Sequence, residues 1–393
     1  MSQESVVIVA GARTPMGGLQ GELAEVTAPQ LGATAIAAAV ERSGLDPADI
    51  DEVFMGCVLP AGLGQAPARQ AAIGAGIPVS TGAVTVNKMC ASAMQATISG
   101  HDSIVAGTNK IVVTGGMESM SNAPHLIPNA RGGVRTGHKT IMDHMFLDGL
   151  EDAYTGRAMG SFAQETADKY GLTREQMDAF AVESLTRAQQ AIEAGKLKAE
   201  TAPVTVKTRA GETVITDDEQ PHKANLDKIP QLRPAFAKDG TITAANASSI
   251  SDGGSALVLM AESEADARGV KPLARIVAHS RHSQEPSEFT IAPIGAINKV
   301  LEKAGWTKDE VDLYEINEAF AMVTMLAMQE IGLDHDKVNV HGGACAQGHP
   351  IGSTGARIIV SLVHALKEYG KSKGVAALCI GGGEATAVAV ELL

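Results

Sequence analysis

The sequence predicts an α/β protein made of two similar halves. Three observations predict it. Apolar runs of strand length alternate with Ala-rich stretches of helical spacing. Aromatics make up only 3% of the chain while Gly numbers 42, so the core is built from Ala, Val, Ile, Leu and Met. Small side chains let helices and strands approach closely, which suits a layered protein. The order of elements also repeats. G-L-D-P-A-D-I-D-E-V-F at Gly44 is echoed by G-W-T-K-D-E-V-D-L-Y-E at Gly305, an offset of 261 residues. V-T-V-N at Val84 is echoed by V-N-V-H at Val338, an offset of 254. I-V-V-T-G-G-M-E at Ile111 is echoed by A-A-L-C-I-G-G-G-E ending at Glu384. Three matches in one order at nearly constant separation indicate a duplication.

Val6 to Ala10 is a short apolar run stopped by Gly11, read as a buried strand of a mostly parallel sheet. Ala28 to Ser43 reads as a helix ended by Gly44, Ile50 to Val58 as a strand, and Arg69 to Ala75 as a short helix. Val84 to Val86 is the end of a strand. After a turn at Asn87 and Lys88, a helix is expected from Cys90 or just before it. Ile111 to Gly115 is a further strand. From about Met120 the texture changes, and Asn122 to Leu150 is rich in Gly, Pro, Asn, His and Met with no period. Gly160 to Tyr170 and Thr173 to Ala194 are helical, the second opened by a capping box of Thr173 and Gln176. Val204 to Asp217 reads as strand pieces around a turn at Gly211. Regular structure resumes at Ser255 to Met260 and Leu273 to Val277. The expected division is a first half over 1–119 and 250–270, an inserted loop or lid domain over 120–249, and a second half over 271–393.

The net charge of −13 argues against nucleic acid as a partner, because phosphate binding needs a basic surface. Four cysteines in 393 residues do not make a disulfide framework, so a reducing, cytoplasmic setting is expected. The N-terminal stretch lacks the pattern of a signal peptide, and no apolar run spans a bilayer.

Four stretches can carry chemistry. Cys90 stands in a strand-to-helix turn, where unpaired N–H groups and the helix dipole favour a thiolate. A buried structural cysteine is the other reading of that residue. H-G-G-A-C-A-Q-G-H-P-I-G-S-T-G-A-R, from His341 to Arg357, fixes His349 in a Gly/Pro loop, as suits a base. L-C-I-G-G-G-E-A puts Cys379 at a strand end before three glycines, either as filler or as a thiol beside N–H groups able to hold an oxyanion. Y-E-I-N-E-A-F-A carries Asn317 and Glu318 into a helix, where Asn317 also reads as a plain cap. Two thiols and a histidine fit covalent acyl transfer with a separate proton shuttle, and a Cys/His pair alone also fits a cysteine hydrolase. The four cysteines and His349 lack the spacing of a zinc site.

N-K-M-C-A-S-A-M-Q-A resembles the nucleophile motif of the thiolase family. G-G-M-E-S-M-S, N-E-A-F-A, G-G-A-C-A-Q-G-H-P-I-G-S-T-G-A-R and C-I-G-G-G-E-A resemble its other signatures, in family order and across essentially the whole chain. The resemblance implies a five-layered αβαβα fold of two halves with a loop domain inserted in the first. It implies reversible Claisen condensation of two acetyl-CoA to acetoacetyl-CoA and free CoA, as in the short biosynthetic members. Cys90 would carry the acyl group and His349 would activate it. Cys379 would move the α-proton, and Asn317 would hold a water in one oxyanion hole. The N–H groups of Cys90 and Gly381 would form the other. CoA would lie against Leu150, Met159, Phe236, Ser248, Ala319 and Phe320, with His222 and Lys223 near its phosphates. No metal or redox cofactor is implied, CoA thioesters being substrates, and the implied assembly is a homotetramer. Two departures stand out: C-A-S-A replaces the common C-G-S-G, so Ala91 and Ala93 are expected to narrow the acyl site, and Ala158 replaces a frequent His. Phe289 is expected near the acyl group, which favours short substrates. The alternatives are a degradative thiolase for longer 3-ketoacyl chains and a non-catalytic acyl-CoA-binding relative.

Overall fold

The computed structural model describes residues 4–209 and 211–393. Among the described residues the main path of the central sheet has nine strands: β1 (Val6–Arg13), β2 (Glu52–Gly56), β3 (Gly82–Val86), β4 (Ile111–Ser119), β5 (Ser251–Ala261), β6 (Ala274–Ser283), β7 (Leu313–Ile316), β8 (Lys373–Ile380) and β9 (Glu384–Leu392). They lie side by side in the order β7-β8-β9-β6-β1-β5-β4-β2-β3. The duplication is visible in that order. In the first half, β2 pairs in parallel with β3 and β4, and β4, β5 and β1 follow antiparallel. In the second half, β7 pairs in parallel with β8 and makes a parallel bridge from Tyr314 to Val338, and β8, β9 and β6 follow antiparallel. The halves meet where β1 runs antiparallel to β6, with Val6 opposite Ile276 and Ile8 opposite Ala274.

The sheet is therefore mixed, not mostly parallel as the sequence suggests. Strands covered on both faces read as unbroken apolar runs whatever their direction, so sequence composition does not report strand sense. The sense is decided by the connections. In the second half β8 turns straight back into β9 through Gly381–Gly383, with Gly382 at φ 94° and Gly383 at φ 85°. A Cβ at Gly383 would stand 2.4 Å from the Gln284 carbonyl oxygen, so this turn needs glycine twice over. In the first half the corresponding link from β4 to β5 carries all of residues 120–250.

Five layers follow from where the apolar faces go. Helices α1 (Ala28–Ser43) and α2 (Pro67–Gly74) cover the outer face of the first half. Helices α3 (Ser92–Val105) and α8 (Thr354–Glu368) pack against strands of both halves and form the middle layer. Helix α6 (Ala292–Ala304) covers the second half from outside. The middle layer is mostly buried, and α8 hides Ile358, Ile359, Leu362 and Leu366 completely. Each such side chain is worth about 1.5–3 kcal/mol of burial. The sequence boundaries of α1 hold because its signals are local: Thr27 and Gln30 form a capping box, and Gly44 closes it at φ 70°.

Among its described residues the 120–250 connection holds two long helices, α4 (Met159–Lys169) and α5 (Arg174–Glu193). Two small hairpins flank them, His125–Leu126 with Met142–Asp143 and Val204–Thr208 with Gly211–Ile215. A buried ionic cluster ties this segment to β1. The Arg13 guanidinium donates to Glu200 through Nε at 2.6 Å and to both carboxylate oxygens of Asp218 at 2.6 and 3.0 Å. Among the described residues no helix is long and apolar enough to cross a membrane. The remaining long helix, α7 (Ala321–Ile331), follows the Asn317 turn.

Candidate active site

Cys90 leaves β3 through a turn built by its neighbours. The Asn87 carboxamide oxygen accepts the Met89 N–H at 3.0 Å, and the Ser92 hydroxyl accepts the Lys88 N–H at 2.9 Å. Met89 takes φ 47°, which turns the chain sharply. Helix α3 then starts at Ser92, two residues after the cysteine, not at or before it. The thiol does not become a thiolate on its own. Burial pushes its pKa up to about 11, while the N–H groups of Gly381 and of Cys90 itself pull the other way. Desolvation outweighs these two donors, so activation needs a base.

That base is at hand. His349 is 5% exposed and its Nδ1 lies 2.7 Å from the Thr354 hydroxyl. The Thr354 hydroxyl proton goes to the Pro350 carbonyl at 3.0 Å. The hydroxyl must then accept from His349, which assigns the proton to Nδ1 and leaves a lone pair on Nε2. The Nε2 atom is buried with no hydrogen-bond partner among the described residues. Burial, reinforced by the nearby Arg357 guanidinium, lowers the imidazole to about 3, so it is neutral at pH 7.

A cavity of about 380 Å³ holds Cys90, His349 and Gly381 together, with Phe289 in its wall. Leu150, Met159, Phe236, Ser248, Ala319 and Phe320, each placed near CoA by the sequence, all line it. His222 does not. It sits in the five-residue helix Glu219–Lys223 and lines a separate surface hollow with Gln189, Glu193 and Pro221. Its neighbour Lys223 is engaged by Glu219 and, at 3.9 Å, by Glu22. A short helix turns successive side chains to different sides, and its docking decides which faces the ligand. Ala91 and Ala93 likewise do not narrow the acyl site. Both are fully buried in the middle layer, away from the cavity. Ala93 comes so close to β4 that a Cβ at Gly116 would stand 2.7 Å from its methyl. Ala158 does line the cavity, just before α4.

Two further residues stand behind the cavity wall. Cys379, near the end of β8, is fully buried, and its thiol is pushed well above the ordinary range by burial and then by the adjacent Cys90 sulfur. Asn317 is 1% exposed, and neither its carboxamide oxygen nor its nitrogen has a partner among the described residues. A buried carboxamide in that condition calls for a bound water or a ligand. The next residue, Glu318, is structural. It accepts from Ser184 at 2.7 Å, Asn339 at 2.8 Å and the Cys345 N–H at 3.0 Å, pinning the loop ahead of His349.

Sequence reasoning assigned no role to Thr354 or Glu118. Glu118 is fully buried and accepts the N–H groups of Val58 at 3.0 Å, Leu59 at 3.1 Å and Gly352. It thereby docks the histidine loop onto the first half. Burial raises its carboxyl to about 7. Both residues lie inside quoted motifs, G-G-M-E-S and G-S-T-G-A-R, but their partners come from distant segments.

A thiol, an unprotonated imidazole nitrogen, converging N–H donors and a second thiol behind them define a site for acyl transfer through a cysteine thioester. The comparisons agree with that class. Residues 6–263 match the family model described as thiolase, N-terminal domain, and residues 270–392 match thiolase, C-terminal domain. The chain thus belongs to the thiolase family. It is 48% identical over 391 residues to the probable acetyl-CoA acetyltransferase of Dictyostelium discoideum, covering 99% of this chain and 94% of that one. It is also 48% identical to the acetyl-CoA acetyltransferase of Chromobacterium violaceum, covering 98% and 99%. The crystal structure of the Bacillus anthracis acetyl-CoA acetyltransferase superposes with a TM-score of 0.97 at 42% identity, covering 100% of this chain and 99% of that one. The Acat5 thiolase from Ascaris suum, solved in complex with coenzyme A, gives 0.94 at 42% identity, covering 99% and 100%.

Proposed function

We propose that this protein is an acetyl-CoA C-acetyltransferase, interconverting two acetyl-CoA with acetoacetyl-CoA and free CoA. The observation that carries it is the unpartnered His349 Nε2 sharing one cavity with the Cys90 thiol and the Gly381 N–H. His349 takes the Cys90 proton as the sulfur attacks the acetyl-CoA carbonyl. The N–H groups of Cys90 and Gly381 hold the oxyanion. The Cys379 thiol protonates the departing CoA sulfur, leaving acetyl-Cys90 and a Cys379 thiolate. That thiolate takes the α-proton of a second acetyl-CoA, whose enolate oxygen meets a water held by Asn317. The new C–C bond forms at the acetyl carbon and expels the Cys90 sulfur, which recovers its proton from His349. Protons and electrons balance over the cycle with no metal or redox cofactor.

The apolar lining, with Phe289, Phe320 and Met159 together, supports short acyl groups. The relatives named acetyl-CoA acetyltransferase over nearly the whole chain support the same reading. A homotetramer in the cytoplasm completes the proposal, in keeping with four free cysteines. The test is steady-state thiolysis of 3-ketoacyl-CoA esters of increasing length, with Cys90→Ser as control. Rates should be highest on acetoacetyl-CoA and vanish in the variant. Equal or faster cleavage of long chains would replace this reading with a degradative thiolase. No CoA-dependent cleavage in the wild type would leave a non-catalytic acyl-CoA binder.

A further inference from the structure

We propose that His101, Asp102 and His279 form a site for a divalent transition-metal ion of the zinc class, clipping the two halves of the fold together. His101 and Asp102 lie near the end of α3 in the first half, and His279 lies on β6 in the second. His101 Nδ1 stands 3.1 Å and His279 Nε2 2.9 Å from the same oxygen, Asp102 Oδ1. The three donor atoms lie within 4.8 Å of one another. Ligands on a tetrahedral zinc ion, bonded at about 2.0–2.2 Å, are about 3.3 Å apart, so little rearrangement is needed. The two rings meet edge to face, with centroids 4.9 Å apart and planes at 83°, which lets one nitrogen of each ring converge.

The chemistry of the donors selects the ion. Two imidazoles and one carboxylate suit Zn²⁺, Co²⁺, Ni²⁺ or Cu²⁺ and not Ca²⁺ or Mg²⁺. The histidine side chains are 14% and 15% exposed and Asp102 is 51% exposed, so an ion enters on the carboxylate side and keeps water in its open positions. Two features set the affinity. Arg281 Nη2 stands 3.9 Å from the other Asp102 oxygen and competes with the ion. His279 Nδ1 is sealed off without a partner among the described residues, so metallation of Nε2 leaves its N–H unsatisfied. Both weaken the binding. None of the three residues lines the catalytic cavity, so the ion is a clip on the helix that begins after Cys90 and takes no part in catalysis.

The experiment is a Co²⁺ titration of chelator-treated protein, followed by visible absorption, with Zn²⁺ competition. One equivalent should give d–d bands without a thiolate charge-transfer band, displaced by Zn²⁺ and unchanged in Cys90→Ser. The bands should vanish in His279→Gln and in His101→Asn, both of which should retain thiolysis, showing that they fold. Zn²⁺ should raise the thermal midpoint of the wild type and of neither variant. Bands that persist in both histidine variants, bands that carry a thiolate component lost in Cys90→Ser, or no bands at millimolar Co²⁺ would each overturn the assignment.

Discussion

The hydroxyl of Thr354 decides whether His349 can act as a base, and Thr354→Val tests it. In the wild type the hydroxyl accepts the Nδ1 proton at 2.7 Å and passes its own proton to Pro350 at 3.0 Å. Thr354 is fully buried and His349 nearly so, hence no water replaces the lost acceptor. Valine keeps the branched shape at the start of α8 and deletes only the acceptor. A buried N–H left unsatisfied costs about 1–3 kcal/mol, so the preference for the tautomer that frees Nε2 is lost and the imidazolium formed during acylation carries an unpartnered Nδ1 proton. The tautomer with its proton on Nε2 cannot take a proton from Cys90. The same energy, passed fully to the barrier, slows acylation by about 5- to 150-fold. The assay is pre-steady-state release of CoA from acetyl-CoA, which isolates acylation from condensation. Thr354→Ser, which keeps the hydroxyl, should retain most of the rate. An acylation rate in Thr354→Val within twofold of wild type would refute the tautomer argument, because Nε2 would then be free without that hydroxyl.

Other predictions follow from the same geometry. Cys379→Ala should still form acetyl-Cys90, detected by mass spectrometry but more slowly for want of the acid on the departing CoA sulfur, while condensation collapses; persistent condensation would require another α-proton base. Gly383→Ala should destabilise the fold by about 1–3 kcal/mol, from its φ of 85° and the 2.4 Å approach to Gln284, whereas Gly381→Ala should be tolerated because its Cβ meets only Met159 at 3.6 Å. Denaturant midpoints check this, and equal losses in the two variants would contradict it. The depressed imidazole of His349 links stability to pH. In the unfolded chain it gains a proton below about 6.5 and in the folded chain only near 3, so the unfolded state binds more protons between these values. Its contribution is complete above pH 6.5 and is lost as pH falls toward 3. His349→Asn should flatten the thermal midpoint over that window, and unchanged curvature would show that the ring titrates normally. Iodoacetamide should alkylate Cys90 of the free enzyme faster with each unit of pH up to about 11; a plateau below pH 8 would mean that the thiolate forms unaided.

The sequence by itself determined what is local in this protein. The boundaries of α1 and the start of α5 were legible because capping side chains and a left-handed glycine act within a few residues of the backbone they terminate. The duplication was legible because two copies of one topology leave the same order of turns and strands. The motifs around Cys90, Asn317, His349 and Cys379 were legible because special backbone turns demand glycine, proline and small residues in a fixed run. Tertiary structure decided the rest, since it depends on what stands opposite. Strand sense was invisible in apolar runs buried on both faces. The protonation of Cys90 was misjudged because helix-end donors can be counted from sequence but desolvation cannot. Ala91 and Ala93 face the middle layer, because neighbouring segments select the side that each presents. His101 and His279, 178 positions apart in the chain, meet at one carboxylate oxygen only because two halves of a duplicated fold pack on each other.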